Sequence, residues 1–407
     1  MFPKPNSALS ALAASLLLAA ASAFSAPVEI TDVNERKVTV DLPVKRAVLG
    51  FYYQDYMAVG GKDALDNVVG FSKAVWSDWA PASWEAFSKA VPKLNELADV
   101  GEVEVGTFSV EKVLSLKPDL LLLADWQYQA LGSDLDRIEK AGIPVVVVDY
   151  NAQTVEKHMK STEIIGTLTG RKEQAAKLSA EYKAVADDIR NRISKAGLPK
   201  PKVYVEFGDK GPEEHSFTFG KAMWGPMIDL AGGENIAASS VEFYAPINPE
   251  QVLAAKPDVI VVTGRETELG KNPTAMVMGW GVPRAEAETR LAGFAKRAGW
   301  DALPAVRNQR LYGAYHANSR TLSDGASLQF MAKAVYPQLF GDLNPDKTYQ
   351  DFYRNYLPVV PEGTFYIQEG CKDLNCTTDN ADKSGSQETS SESWWGRLIA
   401  WFKSLFG

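Results

Sequence analysis

GTFSVEKVLSLKPDLLLL, Gly106–Leu123, and YAPINPEQVLAAKPDVIVV, Tyr244–Val262, decide how this chain folds. With Glu111 set on Glu250, Val113, Leu114, Lys117, Pro118 and Asp119 fall on Val252, Leu253, Lys256, Pro257 and Asp258, each pair 139 residues apart. Each copy reads as a short helix, a Pro-Asp break and an unbroken apolar run. Proline cannot continue a helix, and a run apolar at every position suits a strand buried on both faces. A repeated helix–break–strand unit points to duplication or shared architecture rather than chance.

Outward from the first copy, KRAVLG, NVVGFS and PVVVVD read as further strands; outward from the second, KVYVEF and QRLYGA do. Helical patterns fall between them, including Leu131–Ala141, Met223–Ala231 and Gly325–Phe340. Strands alternating with helices predict an α/β fold: two lobes with mainly parallel sheets flanked by helices. VEIT and RKVTVDL predict a small edge hairpin. Between the halves, Leu178, Tyr182, Val185, Ile189 and Ile193 recur at three- and four-residue spacing, and Gly197 and Pro199 close the pattern. The division is an N-terminal lobe over 27–170, one long connecting helix over 171–197 and a C-terminal lobe over 200–358.

The chain has 407 residues, 43 Lys+Arg against 51 Asp+Glu and a formal charge of −8. With no basic run, it lacks the clustered cations that nucleic acid demands. Long apolar stretches lie only near the ends, which excludes a polytopic membrane protein. Residues 1–25 read as a signal peptide: Lys4, the uncharged run Ala8–Ala21, and small-x-small sites at Ala21-Ser22-Ala23 and Ala23-Phe24-Ser25. An uncleaved anchor helix is the alternative. Export makes a Cys371–Cys376 disulfide plausible, with two unpaired thiols as the other reading. The Ser/Thr/Asp/Glu-rich stretch within 370–393 reads as a disordered linker. The last segment, 394–407, reads as an amphipathic helix, with Trp394, Trp395, Trp401 and Phe402 on its apolar face. It fits a membrane surface, or docking on a lobe or partner.

No nucleophile elbow, zinc-protease motif or phosphate loop is present. Of the three histidines, His158 reads as a surface helix residue, whereas His215 and His316 follow strands. Zinc needs three or four clustered ligands, so histidine with tyrosine or carboxylates is what remains open for a metal. Strand carboxyl ends are the usual ligand crevice of open α/β sheets. Aromatic residues crowd those positions: Phe51, Tyr52, Tyr53 and Tyr56; Trp76, Trp79 and Trp84; Trp126 and Tyr128; Phe217, Phe219 and Trp224; Tyr315. About half are expected only to pad the surface between lobes. Arg265 and Arg320 stand ready to neutralise an anionic ligand.

RAVLG, SVEKVLSLKPDLLLL, AGIPVVVVD, the long helix, GGENIA, NPEQVLAAKPDVIVV and NQRLYGAYH together resemble the helical-backbone class of periplasmic substrate-binding proteins of ABC importers. That class serves ferric siderophores, haem, vitamin B12 and related metal chelates. The resemblance covers about Val28 to Pro358. It implies a ligand held between lobes joined by one helix, with no intrinsic cofactor. It also implies that Glu111 and Glu250 dock onto arginines of an inner-membrane permease. Helix N-terminal capping is a role both glutamates could fill as well.

The resulting expectation is a monomeric periplasmic protein that captures an iron-siderophore or similar metal chelate and does no catalysis. Tyr52, Tyr53, Trp126, His215, Phe219, Trp224, Arg265, Tyr315, His316 and Arg320 line the site, and Tyr315, His215 and His316 are candidates for its metal. A membrane-tethered haem or chelate scavenger without a dedicated permease, motivated by the tail, is the second reading. A metal-dependent α/β enzyme is the third. The tail and the lack of a lipid-modified cysteine depart from the family pattern, as does the missing three-arginine cluster of catecholate pockets.

Overall fold

The computed structural model describes residues 26–152, 154–374 and 376. The signal-peptide reading of 1–25 and the amphipathic segment 394–407 lie outside those residues, as does most of the linker 370–393.

Both copies of the repeat fold alike, cap by cap. In the first, Ser109 opens the helix Val110–Leu116 by accepting from the Lys112 amide. In the second, Asn248 opens Pro249–Ala255 by accepting from the Glu250 amide. Lys117 and Lys256 close the two helices in the left-handed region, at φ 48° and 51°. The aspartates after the prolines then tie each repeat to its neighbouring strand. Asp119 accepts from the Lys45 and Arg46 amides at 2.8 Å, and Asp258 from the Lys202 amide at 2.8 Å. The apolar runs become the strands Leu120–Ala124 and Val259–Gly264, every residue buried.

Each repeat strand lies inside its own sheet, paired on both sides. The first sheet is wholly parallel, in the order Ala98–Asp99, Val68–Phe71, Ala47–Leu49, Leu120–Ala124, Val145–Val148. In the second, Val259–Gly264 runs parallel between Lys202–Phe207 and Leu311–Tyr315. That sheet departs from the mainly parallel expectation at its margins: Phe217–Phe219, Tyr244–Pro246 and Tyr366–Gln368 all pair antiparallel. Short returning segments of that kind need no crossover helix. The expected edge hairpin forms from Ala26–Thr31 and Lys37–Leu42.

Successive strand side chains face opposite ways. Leu120, Leu122 and Ala124 enter the main core, which runs on into the second sheet, while Val48, Leu121 and Leu123 build a smaller core against the first repeat helix. The connecting helix is Lys172–Ala196. Its stripe Leu178, Tyr182, Val185 and Ile189 is buried, and 25 residues at 1.5 Å each span about 37 Å. The pattern read as Leu131–Ala141 forms the helix Ser133–Lys140, and Gly132 at φ 51° parts it from the preceding helix Asp125–Leu131. Cys371 and Cys376 form a disulfide.

His158 corrects an expectation. It is 1% exposed rather than on the surface. Its helix, Val155–Leu168, buries the stripe Val155, His158, Thr162, Ile165. The imidazole stacks on Tyr182 of the connecting helix with centroids 3.4 Å apart, and Nε2 meets Asp324 Oδ1 of the second lobe at 3.1 Å.

Candidate functional site

The two sheets present their strand carboxyl ends to each other. From the first lobe come Phe51, after Ala47–Leu49, and Trp76, Trp79 and Ala80, after Val68–Phe71. From the second come Arg265, after Val259–Gly264, and His316, Ala317, Arg320 and Thr321, after Leu311–Tyr315. These residues enclose a cavity of about 20 Å³, room for little more than one water. A second inter-lobe void, about 10 Å³, lies beside it among Gln54, Trp280, Tyr315 and Tyr353.

The arginines define the chemistry. Arg320 lies over the Phe51 ring at 4.8 Å and the Trp79 ring at 5.6 Å. Arg265 lies over Trp79 at 5.4 Å and Phe207 at 5.0 Å. Neither guanidinium has a hydrogen-bond or ion-pair partner among the described residues, although Arg320 is 8% exposed. Burial first, and then Arg320, push the Arg265 pKa down to about 10, so Arg265 stays charged at neutral pH. Contact with an aromatic face is worth about 0.5–2 kcal/mol and does not replace an anion. Two cations that line one small void without a hydrogen-bonded counterion form an anion-accepting arrangement, even with Glu104 and Glu266 acting on Arg265 from a distance.

His316 sits behind the arginines with Nδ1 3.2 Å from Thr263 Oγ1. Burial and both arginines hold its pKa well below the ordinary imidazole value, so it is neutral. Glu266, next to Arg265, is pushed up to about 7 by burial. Tyr315 donates to Glu266 Oε1 at 3.4 Å, and burial lifts its phenol well above the usual range. Trp126, expected in the site, does not line the cavity itself but packs edge-on against Phe51, ring centroids 5.7 Å apart.

Other sequence-expected residues lie elsewhere. Tyr52 is 2% exposed and packs edge-on to Tyr150, one layer behind Phe51. Tyr53 is wholly buried among Phe71, Trp76, Trp84 and Phe87. Phe219 supports His316 from behind at 5.7 Å. Trp224 is a core residue of the helix Trp224–Leu230. His215 belongs to the opposite face of the second sheet. It packs on Trp300 beside the buried Arg297–Glu206 pair, whereas His316 packs on Phe207, the next residue along that strand. Tyr315, His215 and His316 therefore do not converge, and no group of three His, Cys, Asp or Glu side chains among the described residues could hold a metal ion. Tyr315 in particular is a neutral phenol committed to Glu266.

Sequence reading missed Glu104 and Tyr244. The Tyr244 hydroxyl donates to Glu104 Oε1 at 2.8 Å, bridging the lobes at the cleft mouth. The 139-residue offset, which maps position 105 onto 244, was the available signal. Deeper between the lobes, Asp55 accepts from the Leu322 amide at 2.6 Å and Tyr353 donates to Gln54 at 3.1 Å. A cavity of about 500 Å³ opens elsewhere, beside the connecting helix between Glu156, Arg190 and Asp229, and has no aromatic lining.

Glu111 and Glu250 are both exposed, in the first turns of the two repeat helices. Glu111 meets Arg137 at 2.6 Å, and that partner lowers its pKa.

The profile of the Periplasmic binding protein family matches residues 54–315. Among curated relatives, the molybdate-binding protein MolA of Haemophilus influenzae is 24% identical over 352 residues, covering 80% of this chain and 90% of that protein. The vitamin B12-binding protein of Yersinia pestis is 26% identical over 190 residues, 47% of this chain and 63% of that protein. Among solved structures, the TroA-like periplasmic binding protein FepB of Veillonella parvula aligns with TM-score 0.78 and 33% identity, over 84% of this chain and 100% of that one. MolA bound to molybdate aligns with TM-score 0.59 at 20% identity, over 83% and 99%. Two lobes, strand ends turned to a shared cleft and these matches together identify the chain as a member of the periplasmic binding protein family, a solute-binding protein of the ABC-transporter class rather than an enzyme.

Proposed function

We propose that the protein captures an anionic metal complex, an iron-siderophore chelate or a close analogue, in the Arg265–Arg320 cleft and delivers it to a permease in the inner membrane. The observation carrying this reading is the pair of unpartnered guanidiniums between Phe51, Trp76 and Trp79. Aromatic rings supply stacking area, and the cations supply charge. The metal travels inside its chelator, since the donors among the described residues do not gather around one. A ligand larger than the cavity of about 20 Å³ enters only when the lobes part. The exposed Glu111 and Glu250 then meet permease arginines, Glu111 exchanging its Arg137 partner.

A small tetrahedral oxyanion is the second reading, favoured by the narrowness of the cavity and by similarity to MolA. Titration of tryptophan fluorescence decides between them. Trp76, Trp79 and Trp126 should report ferric siderophores, molybdate, haem, cobalamin and nickel–histidine separately. Saturable quenching by anionic complexes supports the proposal, and molybdate alone selects the second reading. Equal binding of cationic and anionic complexes would refute both.

A further inference from the structure

The loops that lead into the two repeat helices carry the most conspicuous apolar surface of the described chain. Phe243 is 64% exposed, Val105 54% and Tyr244 45%, the three most exposed large apolar side chains among the described residues. They occupy matching places in the repeat, Glu104-Val105 against Phe243-Tyr244. The Tyr244–Glu104 hydrogen bond joins the two loops across the cleft mouth. Each loop leads within a few residues to its helix cap, Ser109 or Asn248, and so to Glu111 or Glu250.

Both loops are held before any partner arrives. Buried Glu102 accepts from the Val103 amide at 2.7 Å, the Glu104 amide at 3.2 Å and Gln127 Nε2 at 2.9 Å. On the other side, Phe243 accepts from the Gly220 amide and Glu242 from the Lys221 amide, while the Tyr244 ring rests on Phe217 at 5.3 Å. A rigid aromatic and aliphatic centre with charged residues around it is the pattern of an interface hot spot.

We propose that Val105, Phe243 and Tyr244 form one apolar docking patch, completed only when the lobes close, that seats on the periplasmic face of the two-fold permease between its contacts to Glu111 and Glu250. Three features select this occupant. Val105 and Tyr244 each precede one of the glutamates by six residues, the halves of the patch are related by the same repeat that relates the glutamates, and a two-fold partner presents matched apolar surfaces to matched loops. Opening the cleft breaks the Tyr244–Glu104 bond and separates the halves, so the patch lets the permease distinguish closed from open protein. The inference rests on the docking role proposed for Glu111 and Glu250.

The test places photo-reactive benzoylphenylalanine at positions 105, 243, 111, 250 and, as an exposed control, 360 in the full chain within its native host. Adducts are identified by mass spectrometry. Permease adducts at 105 and 243 at least fivefold above position 360 are expected. Adducts at 111 and 250, with 105 and 243 no higher than 360, overturn the patch and leave glutamate docking intact. No permease adduct at any of the four overturns both. Phe243→Ser, with an unchanged melting temperature, should also lower the position-250 adduct at least threefold, and an undiminished yield would count against the patch.

Discussion

Arg265 and Arg320 line one void, and neither guanidinium is hydrogen-bonded or ion-paired to a carboxylate among the described residues, although Glu104 and Glu266 act on Arg265 through space. Their charge is therefore available to a ligand. Arg265→Ala or Arg320→Ala should weaken binding of the anionic complex by about 10–100-fold, ~1.4–2.7 kcal/mol, as measured by fluorescence titration. Unchanged affinity in both variants would remove the arginines from the site. Asp55 carries a different prediction. Burial pushes its pKa up to about 7, against the Leu322 amide that favours the charged form. A raised carboxylate pKa adds stability that is full below the unfolded value of about 3.9, and that stability is lost as pH rises through about 7. Asp55→Asn keeps an acceptor for Leu322, so its melting temperature should fall less than wild type between pH 4.5 and 8 and stand a few degrees higher at pH 8. Parallel melting curves for the two proteins would contradict this.

The repeat's turn chemistry sets how strands sit beside strands. Asp119 and Asp258 each follow a proline and bind backbone amides at the entry to the neighbouring strand. Asp119→Ala and Asp258→Ala should each cost about 1–2 kcal/mol, read as a lowered denaturation midpoint with unchanged slope, because backbone donors lose their acceptor. A change below about 0.3 kcal/mol in both would show that the motif is ornamental. Helix and strand placement was legible at this scale because Pro-Asp breaks, caps and apolar runs act locally. The connecting helix needed only its stripe of Leu178, Tyr182, Val185 and Ile189. His158 was misread although it lies on a stripe with Val155, Thr162 and Ile165. A polar side chain conceals a buried position until its partner, here Asp324 from 166 residues away, comes into view.

For the whole molecule, one helix of 25 residues joins lobes that also touch through Asp55–Leu322, His158–Asp324, Gln54–Tyr353 and Glu104–Tyr244. A continuous helix yields less than a loop hinge does, so opening should be small. Small-angle scattering of ligand-free and loaded protein should differ in radius of gyration by less than about 1 Å, against ~20 Å for a globule of this size. A larger difference would mean that the helix bends or unwinds.

Residues close in sequence determined the α/β class, the duplicated unit, the rod between its copies and the crowding of aromatic side chains at strand ends, because helix breaks, caps and buried strands are set by near neighbours. Only the tertiary structure decided which of those aromatics face the cleft. Phe51, Trp76 and Trp79 reach it while Tyr53 and Trp224 sink into the core, and His215 parts from His316 because alternation along Lys202–Phe207 sends their neighbours to opposite faces. The unpaired state of Arg265 and Arg320 was likewise settled in three dimensions, since whether a charge is answered depends on every segment that packs against it.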